Sequence, residues 1–160
     1  MKRIIFIILL IGSANLVVAQ SKKAKVNPNK TATIQSVEKH QQELIKLSDE
    51  IWGYAETALK EYKSAKALAD YAESQGFMVK RGVAGMPTAF TAEYGSGKPV
   101  IGIMGEFDAL PGISQKAIPT KEPLVADAAG HGCGHNLFGA GSLGAALAIK
   151  ELMQQGKLKG

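Results

Sequence analysis

An apolar run at residues 100–105, with the sequence VIGIMG, constrains the fold of this chain more than any other feature. A run without polar alternation is typical of a strand buried on both faces, so its sheet needs a layer on each side. Residues 34–55, 61–75 and 138–155 repeat apolar side chains at three- and four-residue spacing, which predicts helices. Residues 90–94 alternate apolar and polar side chains, which predicts another strand. Together these segments predict an α/β sandwich.

The first 19 residues have the order of a secretory signal peptide. Lys2 and Arg3 precede an apolar stretch, and Val17 and Ala19 favour cleavage after Ala19. The alternative is an uncleaved anchor, but the stretch is shorter and more diluted than the roughly 20 apolar residues of a membrane span. We therefore predict export to the periplasm or the extracellular space, with no stable membrane span after processing.

Residues 20–32 contain several lysines and few large apolar side chains, so we predict a flexible linker there. The chain has a formal net charge of +5, but Lys2 and Arg3 supply two of these charges and the linker holds a cluster of lysines. No aromatic residue lies among the linker lysines to stack on bases. We therefore predict no nucleic-acid partner.

Two polar clusters flank a predicted loop at residues 108–135, which is rich in proline and glycine. Glu106 and Asp108 directly follow the apolar run, and open α/β sheets bind ligands outside the carboxyl ends of their strands. These carboxylates are therefore candidates for a metal or catalytic site. The alternative is that they cap the turn that follows, as Asp does routinely.

The second cluster is the segment GHGCGHN at residues 130–136, just before the third predicted helix. The thiolate of Cys133 and the imidazole of His135 can bind one cation, and these donors suit zinc and related divalent metals. His131 adds a further potential ligand. The alternative is a structural thiol beside two loop histidines. Because the chain has one cysteine, an internal disulfide and a C-x-x-C redox couple are excluded.

A glycine pattern at residues 139–144 matches the dinucleotide fingerprint G-x-G-x-x-G. That fingerprint must directly follow a strand, whereas this one follows the Cys/His segment. We instead predict that its small residues let the third helix pack closely against the sheet.

The order GEFDALPG at residues 105–112, then GHGCGHN and a helix of small residues, resembles the metallopeptidase and amidohydrolase family of aminoacylases and zinc carboxypeptidases. The segments WGYAE at 52–56 and GMPTAF at 85–90 resemble its branch around p-aminobenzoyl-glutamate hydrolase. The resemblance covers roughly residues 35–155. It implies that residues 33–160 are the N-terminal portion of an α/β/α sandwich catalytic domain, an incomplete sheet flanked by helices.

The resemblance implies a hydrolase with two divalent cations, zinc or manganese, that activate water to attack an amide. Its substrate would be p-aminobenzoyl-glutamate or an N-acyl amino acid. Cys133 and His135 fall on metal-ligand positions, and Asp108 falls on a carboxylate that orients a ligand or a catalytic neighbour. Glu106 stands where relatives place a ligating histidine, so it is a possible ligand, and His131 is assigned to ligand orientation.

The family's general-base glutamates, later histidine ligands and dimerisation domain would lie beyond residue 160. We therefore predict that this chain is a fragment, inactive alone, and that a homodimer forms only at full length. The alternative is a short exported module that binds a metal or a partner without catalysis.

Overall fold

The structure, a computed structural model, describes residues 26–160. The predicted signal peptide at residues 1–19 and residues 20–25 of the predicted linker lie outside this range. Helices and one small two-stranded sheet make the described part a mixed structure of helices and strands, which is consistent with an α/β fragment. The predicted α/β/α sandwich stays a prediction. None of the helices within residues 26–160 is long and apolar enough to cross a membrane. The α-helices and β-strands in chain order are α1 (Pro28–Tyr54), α2 (Tyr62–Ser74), β1 (Met78–Arg81), β2 (Phe90–Glu93) and α3 (His135–Gln154), and a short 3-10 helix at Val83–Gly85 lies between the strands.

Helix α1 begins before the predicted start at residue 34, so residues 28–32 of the predicted linker are helical. Asn27 caps the helix because its side chain accepts a hydrogen bond from the amide of Asn29 at 2.9 Å. Pro28 suits the first helical position, where an amide would have no partner within the helix. The cap and the proline outweigh the polar composition that predicted a linker.

The core lies between the helices, and α3 packs chiefly against α1. Gly144 of α3 permits this approach, because a Cβ atom there would stand 2.9 Å from the Cδ1 atom of Leu44 on α1. The small residues of α3 were predicted to face a sheet, and at Gly144 they face a helix instead. The buried residues of this core are Leu47, Ile51, Leu68, Ala72, Phe77, Ala140, Leu143 and Leu147.

The sheet consists of β1 and β2, which pair antiparallel with Met78 opposite Glu93 and Arg81 opposite Phe90. Strand β2 confirms the strand predicted at residues 90–94. Strand β1 was not predicted from the sequence.

The prediction of a strand at residues 100–105 is wrong. In the part of the chain that the structure describes, this segment belongs to no strand. Val100 is 86% exposed and Met104 is 71% exposed, so the run is not buried on both faces. It is attached to α3 through the hydroxyl of Ser142, which donates to the carbonyl of Met104 at 2.7 Å. Composition predicts a strand, but a strand also needs a hydrogen-bonding neighbour, and residues 26–160 place none beside this run.

A polar contact joins the middle of α1 to the last turn of α3 around Glu151, whose side chain is 17% exposed. Its Oε1 atom accepts hydrogen bonds from Lys39 Nζ at 2.7 Å and from His40 Nε2 at 2.9 Å. Burial acts to raise the pKa of Glu151, but the hydrogen bonds from Lys39 and His40 outweigh it and lower the pKa from 4.5 to about 2. Because the carboxylate only accepts, the Nε2 atom of His40 carries a proton.

We expect the substitution Glu151→Gln to lower the free energy of unfolding at pH 7 by about 1.5–3 kcal/mol, the range for hydrogen bonds to charged groups. Because the folded-state pKa of Glu151 is depressed, its stabilisation is complete above pH 4.5 and is lost as the pH falls towards 2. Urea unfolding of both proteins at several pH values measures the difference. A difference that stays constant from pH 7 to pH 3 would contradict the assignment.

Candidate metal centre

Glu106, Asp108 and His135 form one cluster, with one donor atom from each lying within 4.8 Å of the others. The Nδ1 atom of His135 lies 2.7 Å from Oδ1 of Asp108, and its Nε2 atom lies 3.2 Å from Oε2 of Glu106. The His135 and Asp108 side chains are mostly buried, at 18% and 24% exposed, whereas Glu106 is 48% exposed. The cluster is therefore open to solvent on the side of Glu106.

Two backbone bridges hold the segment that follows Asp108 against distant parts of the chain. Ala109, next to Asp108, pairs with Thr57 in a parallel bridge. Leu110 pairs with Gly130 in an antiparallel bridge, through two hydrogen bonds of 3.0 Å. The second bridge places the loop that leads to His135 beside the segment that carries Asp108.

The first turns of α3 lie directly on the backbone that carries the carboxylates. A Cβ atom at Gly139 would stand 3.1 Å from the carbonyl oxygen of Glu106 and 3.2 Å from Cβ of Phe107. Glycine at position 139 therefore allows the helix that begins at His135 to lie against residues 106–107.

The donor chemistry of this cluster fits a divalent cation. A carboxylate only accepts hydrogen bonds, and a neutral imidazole has one N–H, so His135 can donate to Asp108 or to Glu106 but not to both. With Nδ1 donating to Asp108, the lone pair of Nε2 lies on the side of Glu106, where one cation can bind both groups. Two carboxylates and an imidazole are ligands that zinc and manganese accept.

Cys133, a predicted ligand, lies two residues before His135 and is exposed. Within residues 26–160 the cluster of close donor atoms does not include its thiol. Its role as a ligand therefore stays a prediction, as do the roles of Asp108, His135 and Glu106, although these three side chains lie together.

His131 fastens the loop to α1. Its Nε2 atom donates to the carbonyl of Ile51 at 3.0 Å, while its Nδ1 atom is buried and has no hydrogen-bond partner within residues 26–160. Burial lowers the pKa of His131, and the hydrogen bond to Ile51 opposes this. Asn136 adds a second attachment, because its Nδ2 atom donates to Oγ of Ser48 on α1 at 3.0 Å.

Sequence reasoning gave Glu56 and Asn136 no part in the site, because their contacts are with residues far from the motif. The segment WGYAE drew attention to Glu56 as a mark of resemblance. The carbonyl of Glu56 accepts a hydrogen bond from the amide of Ala109, and no spacing rule connects these two positions. The burial of Asn136 just inside a helix is likewise visible only in three dimensions.

No protein-family profile matches the chain. The chain is 44% identical to one of the subunits of p-aminobenzoyl-glutamate hydrolase of Escherichia coli (strain K12) over 121 residues, which are 75% of this chain and 25% of the relative. It is 30% identical over 123 residues to YhaA, named as an amidohydrolase, of Bacillus subtilis (strain 168), with 74% of this chain and 29% of the relative covered. The chain thus spans about a quarter of the length of these curated relatives.

Proposed function

Because the matched part of this chain belongs to the amidohydrolase and peptidase family, in the branch of p-aminobenzoyl-glutamate hydrolase, we propose that it is the metal-binding portion of a metal-dependent hydrolase of amide bonds. The observation that carries this proposal is the cluster of Glu106, Asp108 and His135, whose donor atoms lie within 4.8 Å of one another. The names of the relatives support the hydrolase class, and the cluster supports the metal.

Glu106, Asp108 and His135 would hold one divalent cation, zinc or manganese, and Cys133 is proposed as a further ligand from the same loop. When bound, such a cation supplies a Lewis acid that lowers the pKa of a water molecule and polarises a carbonyl. Asp108 accepts from Nδ1 of His135 and so orients the ring. In the loaded site one oxygen of Asp108 would keep the hydrogen bond to His135. The other oxygen would bind the cation or accept a proton. A second ion would need ligands outside this cluster.

The proposed substrate is a small amide, of the p-aminobenzoyl-glutamate or N-acyl amino acid type. We further propose export to the periplasm or the extracellular space and a homodimer at full length. Since the chain spans about a quarter of its relatives, hydrolysis is proposed to require residues outside this stretch.

Equilibrium dialysis against Mn²⁺ or Zn²⁺, followed by an assay with p-aminobenzoyl-glutamate, tests the proposal. We expect the 160-residue chain to bind the cation and to release no p-aminobenzoate, and a protein extended to the length of the relatives to hydrolyse the amide. Hydrolysis by the 160-residue chain at the rate of the longer protein would contradict the need for further residues. Cation binding without hydrolysis at any length would favour a binding module.

A further inference from the structure

Glu56 lies in the loop between α1 and α2, and its carboxylate caps α2 from outside the helix. Both of its oxygens lie 3.0 Å from the amide of Lys63, and Oε2 also accepts from the amide and the hydroxyl of Ser64 at 2.9 Å. Glu61, at the N-cap position, makes no capping hydrogen bond with its own side chain in the described part of the chain. Glu56 therefore satisfies amides that the first turn leaves free and places negative charge at the positive end of the helix dipole.

The backbone of Glu56 contacts the segment that carries Asp108, one of the three residues of the candidate metal centre. Its carbonyl accepts a hydrogen bond from the amide of Ala109 at 2.7 Å. Ala109 is 1% exposed and directly follows Asp108. Glu56 is thus held at its carboxylate by α2 and at its carbonyl by the segment that carries Asp108.

Few other hydrogen bonds hold the loop between α1 and α2. Within the described residues its backbone is also tied by three amide-to-carbonyl hydrogen bonds, from Ala55 to Ile51 at 3.1 Å, from Lys60 to Thr57 at 3.0 Å and from Ala65 to Glu61 at 2.8 Å. The first two are local to the α1 end or to the turn itself, and the third joins α2 only to its own N-cap residue. The Glu56 carboxylate therefore supplies the side-chain anchor between this loop and α2.

We propose that Glu56 is a positioning residue for the candidate metal centre of Glu106, Asp108 and His135. Its carboxylate, anchored on the first turn of α2, places the carbonyl that holds Ala109 and thereby sets the separation of Asp108 from His135. This inference rests on the proposed function, since it takes these two side chains to bind a cation. Glu56 does not itself belong to the donor cluster found among residues 26–160.

The substitution Glu56→Gln tests the inference because it keeps the size of the side chain and removes its charge. It also replaces one accepting oxygen with an NH2 group, which cannot accept a hydrogen bond from the amides of α2. We expect the dissociation constant for Mn²⁺ to rise about 10-fold or more, as for other residues that support metal ligands. The visible absorption spectrum of bound Co²⁺ should also change, because it reports the arrangement of ligands. Both quantities are measured on the full chain at a temperature where every variant is folded.

Glu151→Gln is the matched control, because Glu151 is also a hydrogen-bonded carboxylate between two elements but lies outside the cluster. We expect its Mn²⁺ affinity and Co²⁺ spectrum to match those of the unsubstituted protein. If Glu56→Gln fails to fold, Ser64→Ala removes one of the same hydrogen bonds and should weaken Mn²⁺ binding several-fold.

The outcomes separate this inference from the proposed function. Unchanged Mn²⁺ affinity and Co²⁺ spectrum in Glu56→Gln, or in Ser64→Ala where that variant replaces it, overturn the positioning role when Asp108→Asn loses the metal. If the unsubstituted protein binds no Mn²⁺, or if Asp108→Asn binds it equally well, the metal site and the positioning role fail together.

Discussion

Replacing His135 with alanine is expected to raise the dissociation constant for Mn²⁺ or Zn²⁺ by about 100-fold or more, beyond the 10–100-fold typical of residues that only support ligands. The substitution removes the one nitrogen donor of the cluster and leaves Glu106 and Asp108 facing each other without the ring between them. The two carboxylates then repel, and their oxygens lose the contacts of 2.7 and 3.2 Å that hold them near His135. Isothermal titration calorimetry of both proteins with the metal ion measures the change in dissociation constant.

The matched control is His40→Ala, which removes an imidazole that contacts Tyr71 and Glu151 instead of the cluster. This variant should lose stability but keep its metal affinity. Cys133→Ser in the same titration tests the thiol, and equal affinity and stoichiometry would remove Cys133 from the proposed ligands. Metal binding by His135→Ala at the unsubstituted affinity would contradict the whole cluster as a metal centre.

Replacing Leu147 with alanine is expected to cost about 2–5 kcal/mol of unfolding free energy, the range for truncating a buried leucine. Leu147 is 1% exposed and belongs to the core in which α3 meets α1. Truncation leaves a cavity between two helices whose close packing at Gly144 gives them little room to collapse. The loss would be a large part of the stability of a domain, which is typically about 5–15 kcal/mol. Urea unfolding followed by circular dichroism measures it.

Leu137→Ala provides the control on the same helix, because Leu137 is 67% exposed and its truncation removes little buried area. Its expected cost is within about 0.5 kcal/mol, as for other surface substitutions. Equal costs for the two variants would show that α3 does not pack against α1 in the way described.

The residues of the candidate site were named from the sequence, because their chemistry and their place beside predicted elements are local properties. Glu106 and Asp108 follow an apolar run, and His135 stands at the start of a helix. The structure then brings these three side chains together, while the exposed thiol of Cys133 is not among the close donor atoms of residues 26–160. Periodicity carries no information about that difference, since the loop's course depends on the bridge between Leu110 and Gly130.

The helices were also predicted with their order and approximate length, because an amphipathic period is written into each segment. The start of α1 was not predicted, because the capping contact of Asn27 depends on side-chain geometry rather than on hydrophobic spacing. The apolar run at residues 100–105 shows the opposite case. Its composition favours a strand, but hydrogen-bonding neighbours decide whether a strand forms.

The sequence by itself determined the mixed α/β class, the three helices and the kinds of side chain that could bind a metal. These properties depend on residue type and on neighbours a few positions away. The tertiary structure alone decided that Glu106, Asp108 and His135 share one cluster and that Glu56 connects α2 to it. The contacts of position 56 with 109 and of position 110 with 130 depend on how the chain closes on itself, and no local pattern encodes that closure.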